Sequence, residues 1–372
     1  MRIAVRLVLP VAAALAALAT LAGTAAASPP GHVVFVLNDN PAGNQVVAYD
    51  ADSNGVLQQA GAYSTGGNGG VLSGSVVDHT ASQGALAYDA SHRVLYASNP
   101  GSSTISVFRV NGDRLELSQV VPSGGSFPVS IAVRGPVVYV LNALDGGSLQ
   151  GFIALGDHLL PLPGSHRSLG LGTSASSPFT ATPGQVAFSP DGSKLIVTTK
   201  ATGNAIDVYR VGLLGLISLS PVVNVDTGAV PFAVDFDSSG DLVVAEAGTN
   251  SVATFSLGRD GSISLLHRVA TGQAATCWIK AVGSFLFASN AASPSESSIA
   301  VGAGGSLSLL GNTTTEAGAV DAAATSDGRF LYVQAGGPGN VDGFRINGDG
   351  SLTALGSVTV PGAAGAEGIV AT

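Results

Sequence analysis

A short strand-like run recurs seven times along this 372-residue chain, and it limits the possible folds more than any other feature. Each copy is rich in β-branched and aromatic residues and is bounded by turn-forming residues, which is typical of a buried strand. The copies are VVFVLN from Val33, VLYASN from Val94, VVYVLN from Val137, LIVTTK from Leu195, LVVAEA from Leu242, FLFASN from Phe285 and FLYVQA from Phe330. Repetition at such intervals indicates an architecture assembled from one structural unit.

Each copy lies inside a unit of four predicted strands, which we label a, b, c and d, with the recurring run as strand b. Strand a ends in a turn, as in QVAFSPDG, and strands c and d are joined by turns such as NGDR and NGDG. Such Asn, Asp and Gly pairs are typical of tight antiparallel hairpins. The pattern predicts an all-β fold, a seven-bladed β-propeller. A parallel β-helix would have a shorter repeat, and a jelly roll would not repeat seven times.

The two ends of the chain predict how the ring closes. The C-terminal segment GAEGIVAT, residues 365–372, has the pattern of a strand a with no strand b after it. The N-terminal copy, HVVFVLN, begins directly with a strand b. We therefore predict that the last strand of the chain joins the first blade and closes the ring by main-chain hydrogen bonds.

The first 27 residues predict a secretory signal peptide, because two arginines precede an apolar run and an Ala-Ala-Ala triplet before Ser28. We expect cleavage near Ala27-Ser28, one propeller domain over residues 28–372, and a secreted protein. Loss of Arg2 and Arg6 moves the formal net charge from −9 to −11 and disfavours nucleic acid as a partner. We also expect no membrane insertion, and a monomer that binds a small molecule or an extracellular polymer or protein.

Phrases such as FSPDGSKLIVTT and SDGRFLYVQ resemble the YVTN-type repeats of the lactonase family of seven-bladed propellers. That family includes 6-phosphogluconolactonase-like and 3-carboxymuconate cyclase-like proteins, and the resemblance spans residues 28–372. It implies His and Arg at the starts of a strands and a Glu after a b strand. Glu246 matches the Glu, whereas the a-strand starts hold neither His nor Arg: Gln83-Gly84, Val129-Ser130, Gly184-Gln185, Phe232-Ala233, Cys277-Trp278, Val320-Asp321 and Glu367-Gly368.

The starts of the a strands, the b-to-c loops and the d-to-a connections of a propeller share one face around the channel, where ligands bind. Two long d-to-a insertions reach this face; the first carries Asp78 and His79, and the second carries His166 and Arg167. In the enzyme interpretation Glu246 is a general base and Arg167 stabilises the oxyanion. The expected ligand-binding residues are Gln185, Asp321, Glu367 and Phe232. The alternative is that Arg167 packs against its own loop and that Glu246 is a solvated carboxylate.

Metal and thiol chemistry receive less support from the sequence. Acids near the channel, or the DADSNG segment at residues 50–55, offer the oxygen ligands that Ca²⁺ prefers, yet that segment also fits a c-to-d hairpin turn. Cys277 is the only cysteine, and we interpret it as structural. We therefore expect no cofactor.

Two functional classes remain open at the level of sequence. One is a lactone hydrolase, and the other is a binding protein that recognises its ligand at the channel mouth without chemistry. The missing His and Arg favour binding, and convergence of the acids with a cation in a closed pocket would favour the enzyme.

Overall fold

Seven antiparallel sheets stand in a ring around a central channel in a computed structural model that describes residues 31–172 and 178–372. The predicted seven-bladed β-propeller is therefore confirmed. Strand a of each blade lies next to the channel and strand d lies at the outer rim. The predicted signal peptide, residues 1–27, lies outside the described residues.

Among the first four blades, blade 1 takes a strand from the far end of the sequence and blade 3 has a fifth short strand. Blade 1 contains β1 (His32–Leu37), β2 (Gln45–Ala51) and β3 (Leu57–Ser64). Blade 2 contains β4 (Leu86–Asp89), β5 (Val94–Asn99), β6 (Thr104–Asn111) and β7 (Arg114–Pro122). Blade 3 contains β8 (Pro128–Arg134), β9 (Val137–Asn142), β10 (Ser148–Leu155), β11 (His158–Pro161) and β12 (Arg167–Ser168). Blade 4 contains β13 (Val186–Phe188), β14 (Lys194–Thr198), β15 (Ala205–Arg210) and β16 (Val222–Val225).

The remaining three blades are four-stranded sheets, each with a register shift in two of its strand pairs. Blade 5 contains β17 (Pro231–Phe236), β18 (Leu242–Glu246), β19 (Ser251–Leu257) and β20 (Ile263–Ala270). Blade 6 contains β21 (Thr276–Val282), β22 (Phe285–Asn290), β23 (Ser295–Val301) and β24 (Leu307–Thr314). Blade 7 contains β25 (Ala319–Ala324), β26 (Phe330–Ala335), β27 (Asn340–Ile346) and β28 (Leu352–Thr359), and β29 (Ile369–Ala371) follows it.

Within residues 31–172 and 178–372, helical structure is confined to short segments between strands. These are α1 (Pro178–Ala181), α2 (Lys200–Gly203) and three 3-10 turns, Pro100–Ser102, Leu213–Gly215 and Ala303–Gly305. In the described parts of the chain, no helix is long and apolar enough to cross a membrane.

The predicted closure of the ring is confirmed. Strand β29 is antiparallel to β1, with Val34 opposite Ala371 and Val36 opposite Ile369, and it becomes the innermost strand of blade 1. The hydroxyl of Thr372 accepts a hydrogen bond from Val33 N at 2.9 Å, which extends the joint by one residue. The two ends of the described chain are therefore held in one sheet.

Neighbouring blades are locked together where the c-to-d turn of one blade docks on the b strand of the previous one. The Tyr332 hydroxyl of blade 7 donates to Gly55 O of blade 1 at 3.0 Å, and Tyr139 of blade 3 donates to Gly215 O of blade 4 at 2.9 Å. Gly55 has φ +86°, and a Cβ at this position would lie 2.4 Å from the buried ring of Phe330. The residues around Gly55 form the c-to-d hairpin turn that the DADSNG segment predicts.

Replacing Gly55 with Ala should therefore open the joint between blades 7 and 1. The left-handed backbone and the overlap with Phe330 together predict a loss of roughly 2–4 kcal/mol in the free energy of unfolding. Gly112→Ala is the matched control, because Gly112 also has a positive φ but has no atom within 4 Å of the added Cβ. Urea denaturation should show a clearly smaller loss for the control, and equal losses would contradict the docking role of Gly55.

Candidate functional site

The first insertion folds across the mouth of the central channel. We call residues 65–85 the mouth loop. Near its end the Gln83 side chain accepts a hydrogen bond from Ile279 N and donates one to Ile279 O, both at 3.0 Å. The indole of Trp278 donates to Ser82 O at 2.6 Å. Because these contacts join blade 2 to blade 6, which are not neighbours, the mouth loop spans the channel.

Asp78 organises the part of the mouth loop that covers the channel. Its carboxylate accepts backbone hydrogen bonds from Thr80 at 2.8 Å and from Ala81 and Ser82 at 2.9 Å. Such bonds from a short acid to following N–H groups define a tight turn. The sequence analysis places Asp78 in this insertion. In the structure its hydrogen bonds with the residues that follow it hold the loop in a turn.

Glu367 holds the same loop from blade 1. One carboxyl oxygen accepts hydrogen bonds from Gly84 N at 2.7 Å and Ala85 N at 3.2 Å. The other accepts one from the Thr80 hydroxyl at 3.1 Å. Glu367 is completely buried, so its carboxyl group and the mouth loop pack together out of contact with solvent.

Glu367 and Asp321 form a buried carboxyl pair. Burial, together with the nearby charges of Asp321 and Asp78, raises the pKa of Glu367 well above its usual range. Burial raises the pKa of Asp321 to about 6, although its hydrogen bond with Glu367 acts in the opposite direction. Two adjacent carboxyls cannot both ionise readily, so Glu367 holds the shared proton at neutral pH.

Lys200 is a buried cation at this mouth that the sequence analysis did not single out. Its Nζ donates to Ala81 O of the mouth loop at 2.6 Å and to the Thr182 hydroxyl at 2.8 Å. It also lies 5.2 Å from the centroid of the Phe232 ring. Burial lowers the pKa of Lys200 to about 7, against a rise caused by the charge of Asp78.

A sequence signal for Lys200 did exist. The recurring run of blade 4 ends in Lys, whereas the other six copies end in Asn or Ala. Lys200 also has φ +44°, a conformation that costs free energy in a residue with a side chain. Lysine at a position where the other copies have Asn or Ala therefore distinguishes blade 4 from the other blades.

Phe232, Trp278 and Cys277 form the apolar wall of the mouth. The two aromatic rings meet edge to face with centroids 4.9 Å apart. Cys277 is buried, and burial raises the pKa of its thiol to about 12. A thiol of this kind is a weak nucleophile, in keeping with the structural interpretation of Cys277.

The backbone leading into the mouth is strained in several blades. Four residues with side chains that directly precede β8, β17 and β21 or lie in the mouth loop before β4 have φ between +47° and +63°: Phe127, Val230, Ala275 and Ala81. This conformation is a genuine outlier for a β-branched residue such as Val230. Strained backbone of this kind clusters at functional sites, which favours the channel mouth over the outer rim.

All four predicted ligand-binding residues lie at the mouth and are buried. Gln185 accepts a hydrogen bond from Val234 N at 2.6 Å and so joins blade 4 to blade 5. Phe232, Asp321 and Glu367 line the mouth as described above. Their contact with a ligand stays a prediction. Within residues 31–172 and 178–372, no three His, Cys, Asp or Glu residues are placed to hold a metal ion.

Glu246 is not the solvated loop carboxylate that the sequence analysis considered as an alternative. It is fully buried and binds Arg268 through two bonds of 2.6 Å, from Nε and from Nη2. Arg268 also forms an ion pair with Asp226 of blade 4, with Nη2 and Oδ1 3.1 Å apart. The three side chains therefore join blades 4 and 5. A role for Glu246 as a general base stays a prediction, but this ion pair favours a structural role.

The structure does not bring Arg167 to Glu246. Arg167 lies in β12, which pairs with β10 at the outer edge of blade 3 and not in a loop over the mouth. Its guanidinium donates to the carbonyls of Ile217 at 2.6 Å and Ser218 at 2.8 Å in blade 4. The expected oxyanion partnership therefore does not form, because the insertion first completes the outer strand. Residues 173–177 of this insertion lie outside the described residues.

The carboxyl pair predicts a particular pH dependence of stability. Glu367 and Asp321 retain protons in the folded state at pH values where the unfolded chain has released them, so stability should fall as pH rises from about 4.5. Each such group contributes about 1.4 kcal/mol per pH unit between its two pKa values. Lys200 acts in the opposite direction only above its folded pKa of about 7.

Urea unfolding of the wild type and of Glu367→Gln between pH 4.5 and 6.5 checks this expectation. The variant should show a shallower fall in unfolding free energy across that range, since the amide cannot titrate. An unchanged slope would mean that Glu367 is not the proton carrier.

Comparison with known proteins agrees with the fold and is weaker on chemistry. Residues 25–146 match the family model described as "Lactonase, 7-bladed beta-propeller". No curated protein sequence matches the chain.

Solved structures share the whole architecture at low sequence identity. A 6-phosphogluconolactonase-like protein from Bacteroides uniformis is 19% identical with a TM-score of 0.73, over 92% of this chain and 99% of that one. The periplasmic gluconolactonase of Pseudomonas aeruginosa is 18% identical with a TM-score of 0.68, over 88% and 96% of the two chains. Virginiamycin B lyase from Staphylococcus aureus is 13% identical with a TM-score of 0.53, over 77% and 87%.

These neighbours carry different activities on one scaffold, so the fold does not decide the reaction. The resemblance predicted from the repeats is confirmed at the level of fold and over the matched region. The chain is thus a seven-bladed β-propeller, and its residues 25–146 match the sequence model of the lactonase propellers.

Proposed function

We propose that this chain is an exported propeller that binds a small, uncharged, hydroxylated carbonyl compound of the sugar-lactone class at the channel mouth. The observation that carries the proposal is the buried group of Lys200, Asp321 and Glu367 beside Phe232 and Trp278 under the mouth loop. Polar groups converging beside an aromatic wall are typical of ligand sites.

The burial of so many ionisable groups is difficult to explain by stability alone. Removing a charge from water costs several kcal/mol, and a well-packed apolar pair is often as stable. Asp39 adds to the group, since it is fully buried and burial raises its pKa well above the usual range. Its Oδ2 atom lies 3.8 Å from Nδ1 of His79, so the two side chains form an ion pair when the imidazole is protonated.

The balance of charge supports an uncharged ligand. The described mouth sets one buried cation, Lys200, against Asp39, Asp78, Asp321 and Glu367. The charges of Asp78 and Asp321 would repel a phosphate group, which would also lack the paired cations that usually bind it. Hydroxyl groups fit carboxyls in either protonation state, and the apolar face of a sugar ring fits Trp278 and Phe232.

Export and the lactone class have support from outside the mouth. The N-terminal pattern of residues 1–27 is that of a signal peptide, and one structural neighbour is described as a periplasmic gluconolactonase. A neutral sugar lactone suits an exported protein better than a phosphorylated metabolite.

Binding can be measured through Trp278, which is the only tryptophan in the chain and lies at the mouth. Titration with gluconolactam, the unreactive amide analogue of the lactone, should change its fluorescence in a saturable way. The 6-phosphorylated analogue should bind at least tenfold more weakly because of the acids. Absence of saturable binding, or equal binding of both compounds, would contradict the proposal.

Hydrolysis is the second candidate, and the shared proton of Asp321 and Glu367 favours it. A carboxylate with a pKa of about 6 suits a general base near neutral pH. In that reaction Asp321 removes a proton from water, the hydroxide adds to the lactone carbonyl carbon, and the ring C–O bond breaks. The ring oxygen then takes a proton, and the product is the open hydroxy acid.

Hydrolysis of gluconolactone, followed with a pH indicator and corrected for the spontaneous rate, tests this second candidate. Asp321→Asn should reduce the enzymatic rate at least a hundredfold, in line with loss of a general base. Glu296→Gln is the matched control, because Glu296 is an equally buried acid of blade 6 bonded to Ser289 at 2.8 Å, outside the mouth. If the wild type does not exceed the spontaneous rate, the protein binds without hydrolysing.

A further inference from the structure

The segment Ala81-Ser82-Gln83 of the mouth loop is held by the channel wall in the way that a ligand would be held. We propose that this segment occupies the ligand site of its own protein, and that Lys200 and Trp278 bind the acceptor oxygens of the ligand once the segment leaves. The inference rests on the proposed function and assigns its two principal binding residues.

Two consecutive carbonyls of the segment meet two donors from different walls. Lys200 of blade 4 donates to Ala81 O, and Trp278 of blade 6 donates to Ser82 O, each at 2.6 Å. Both donors are buried, with 2% and 3% of their surface exposed. Short bonds from buried donors to adjacent oxygens are the pattern expected for a compound with two neighbouring acceptors.

Gln83 supplies a third point of attachment. Its side-chain amide pairs with both N and O of Ile279, so it forms two bonds with one residue of the a strand of blade 6. An amide that satisfies a main-chain N–H and C=O together imitates a neighbouring strand. The segment is therefore held through the polar atoms of Ser82 and Gln83, while the Ala81 side chain packs in an apolar cluster with Phe127 and Val129.

Two contacts of the segment are of a kind that a ligand can replace. Ala81 has φ +47°, which strains the closed loop, and Val76 a few residues earlier is 82% exposed. A lactone carbonyl and a neighbouring hydroxyl can reproduce the contacts of Ala81 O and Ser82 O. The turn at Asp78 and the bonds from Gln83 N to Gly184 O and from the Ser130 hydroxyl to Gln83 O have no such replacement and must also open. Closure then competes with the ligand, so the apparent affinity falls by the fraction of molecules that are open.

The ligand class follows from the two donors. Lys200 faces a carbonyl-type oxygen, and Trp278 donates to a second acceptor close to it. A lactone with a hydroxyl beside its carbonyl offers both, with its ring facing Phe232. A ligand without a carbonyl would leave Lys200 buried without its principal acceptor.

Gluconolactam binding to four proteins tests the inference by calorimetry and Trp278 fluorescence. Asp78→Asn weakens the turn and should bind the lactam at least tenfold more tightly than the wild type. Asp78→Asn with Lys200→Met should lose at least tenfold of that affinity. Asp78→Asn with Lys194→Met is the matched control and should bind as Asp78→Asn does, because Lys194 is a buried lysine at the first residue of β14, whereas Lys200 follows the last residue of that strand.

A readout without ligand separates loop opening from binding. Acrylamide should quench Trp278 more strongly in Asp78→Asn than in the wild type, since the bond to Ser82 O is then released. If Asp78→Asn does not fold, Gln83→Leu removes both bonds to Ile279 and gives the same opening.

The outcomes distinguish this inference from the proposed function. Lactam binding that does not depend on Lys200, or that does not increase on loosening the loop, overturns the inference and leaves the binding function standing. Failure of the lactam to bind any of the four proteins, even with Trp278 exposed to acrylamide, overturns the binding function itself.

Discussion

The pairing of β29 with β1 is the contact on which the rest of the molecule depends. It converts seven sheets in a row into a ring, because the innermost strand of blade 1 comes from the opposite end of the chain. It also carries Glu367, two residues before β29, to the channel mouth, where this acid holds Gly84 and Thr80 of the mouth loop. One joint therefore determines both the shape of the scaffold and the composition of the site.

The scaffold and the candidate site are stabilised by different kinds of interaction. Between blades, apolar clusters and tyrosine-to-carbonyl bonds such as Tyr332 to Gly55 give stability without exposed sheet edges at the joints. At the mouth, buried Glu and Lys side chains form hydrogen bonds with the loop above them. A rigid ring tolerates this concentration of buried charge because its seven walls fix the partners in place.

The fold was readable in the sequence because its determinants are local. Strand patterning and turn dipeptides recur in every unit, and the incomplete units at the two ends predict the closure. Gln185, Phe232, Asp321 and Glu367 were located at the mouth because a-strand starts share one face in any propeller. The sequence did not predict how deeply these four side chains are buried, because their burial depends on the mouth loop that covers them.

The partnerships of charged residues depended on contacts far apart in the chain. Lys200 becomes part of the mouth only because the first insertion crosses the channel and presents Ala81 O to it. Arg167 was misplaced because the second insertion returns to pair with β10 before it leaves the blade. The partner of Glu246 is Arg268 on the outer strand of its own blade, a position that the cross-strand register sets and the local sequence does not.

The positions of β1 and β29 in the sequence determine when the ring can close during synthesis. Blade 1 cannot be completed until Ile369–Ala371 has been synthesised, so every earlier stage of synthesis leaves an open ring with an unpaired inner edge on β1. Glu367 arrives with that last strand, and the mouth loop therefore lacks its blade 1 anchor until the final moment. Assembly of the ring and assembly of the site are the same late event, so a chain that stalls before its end has neither.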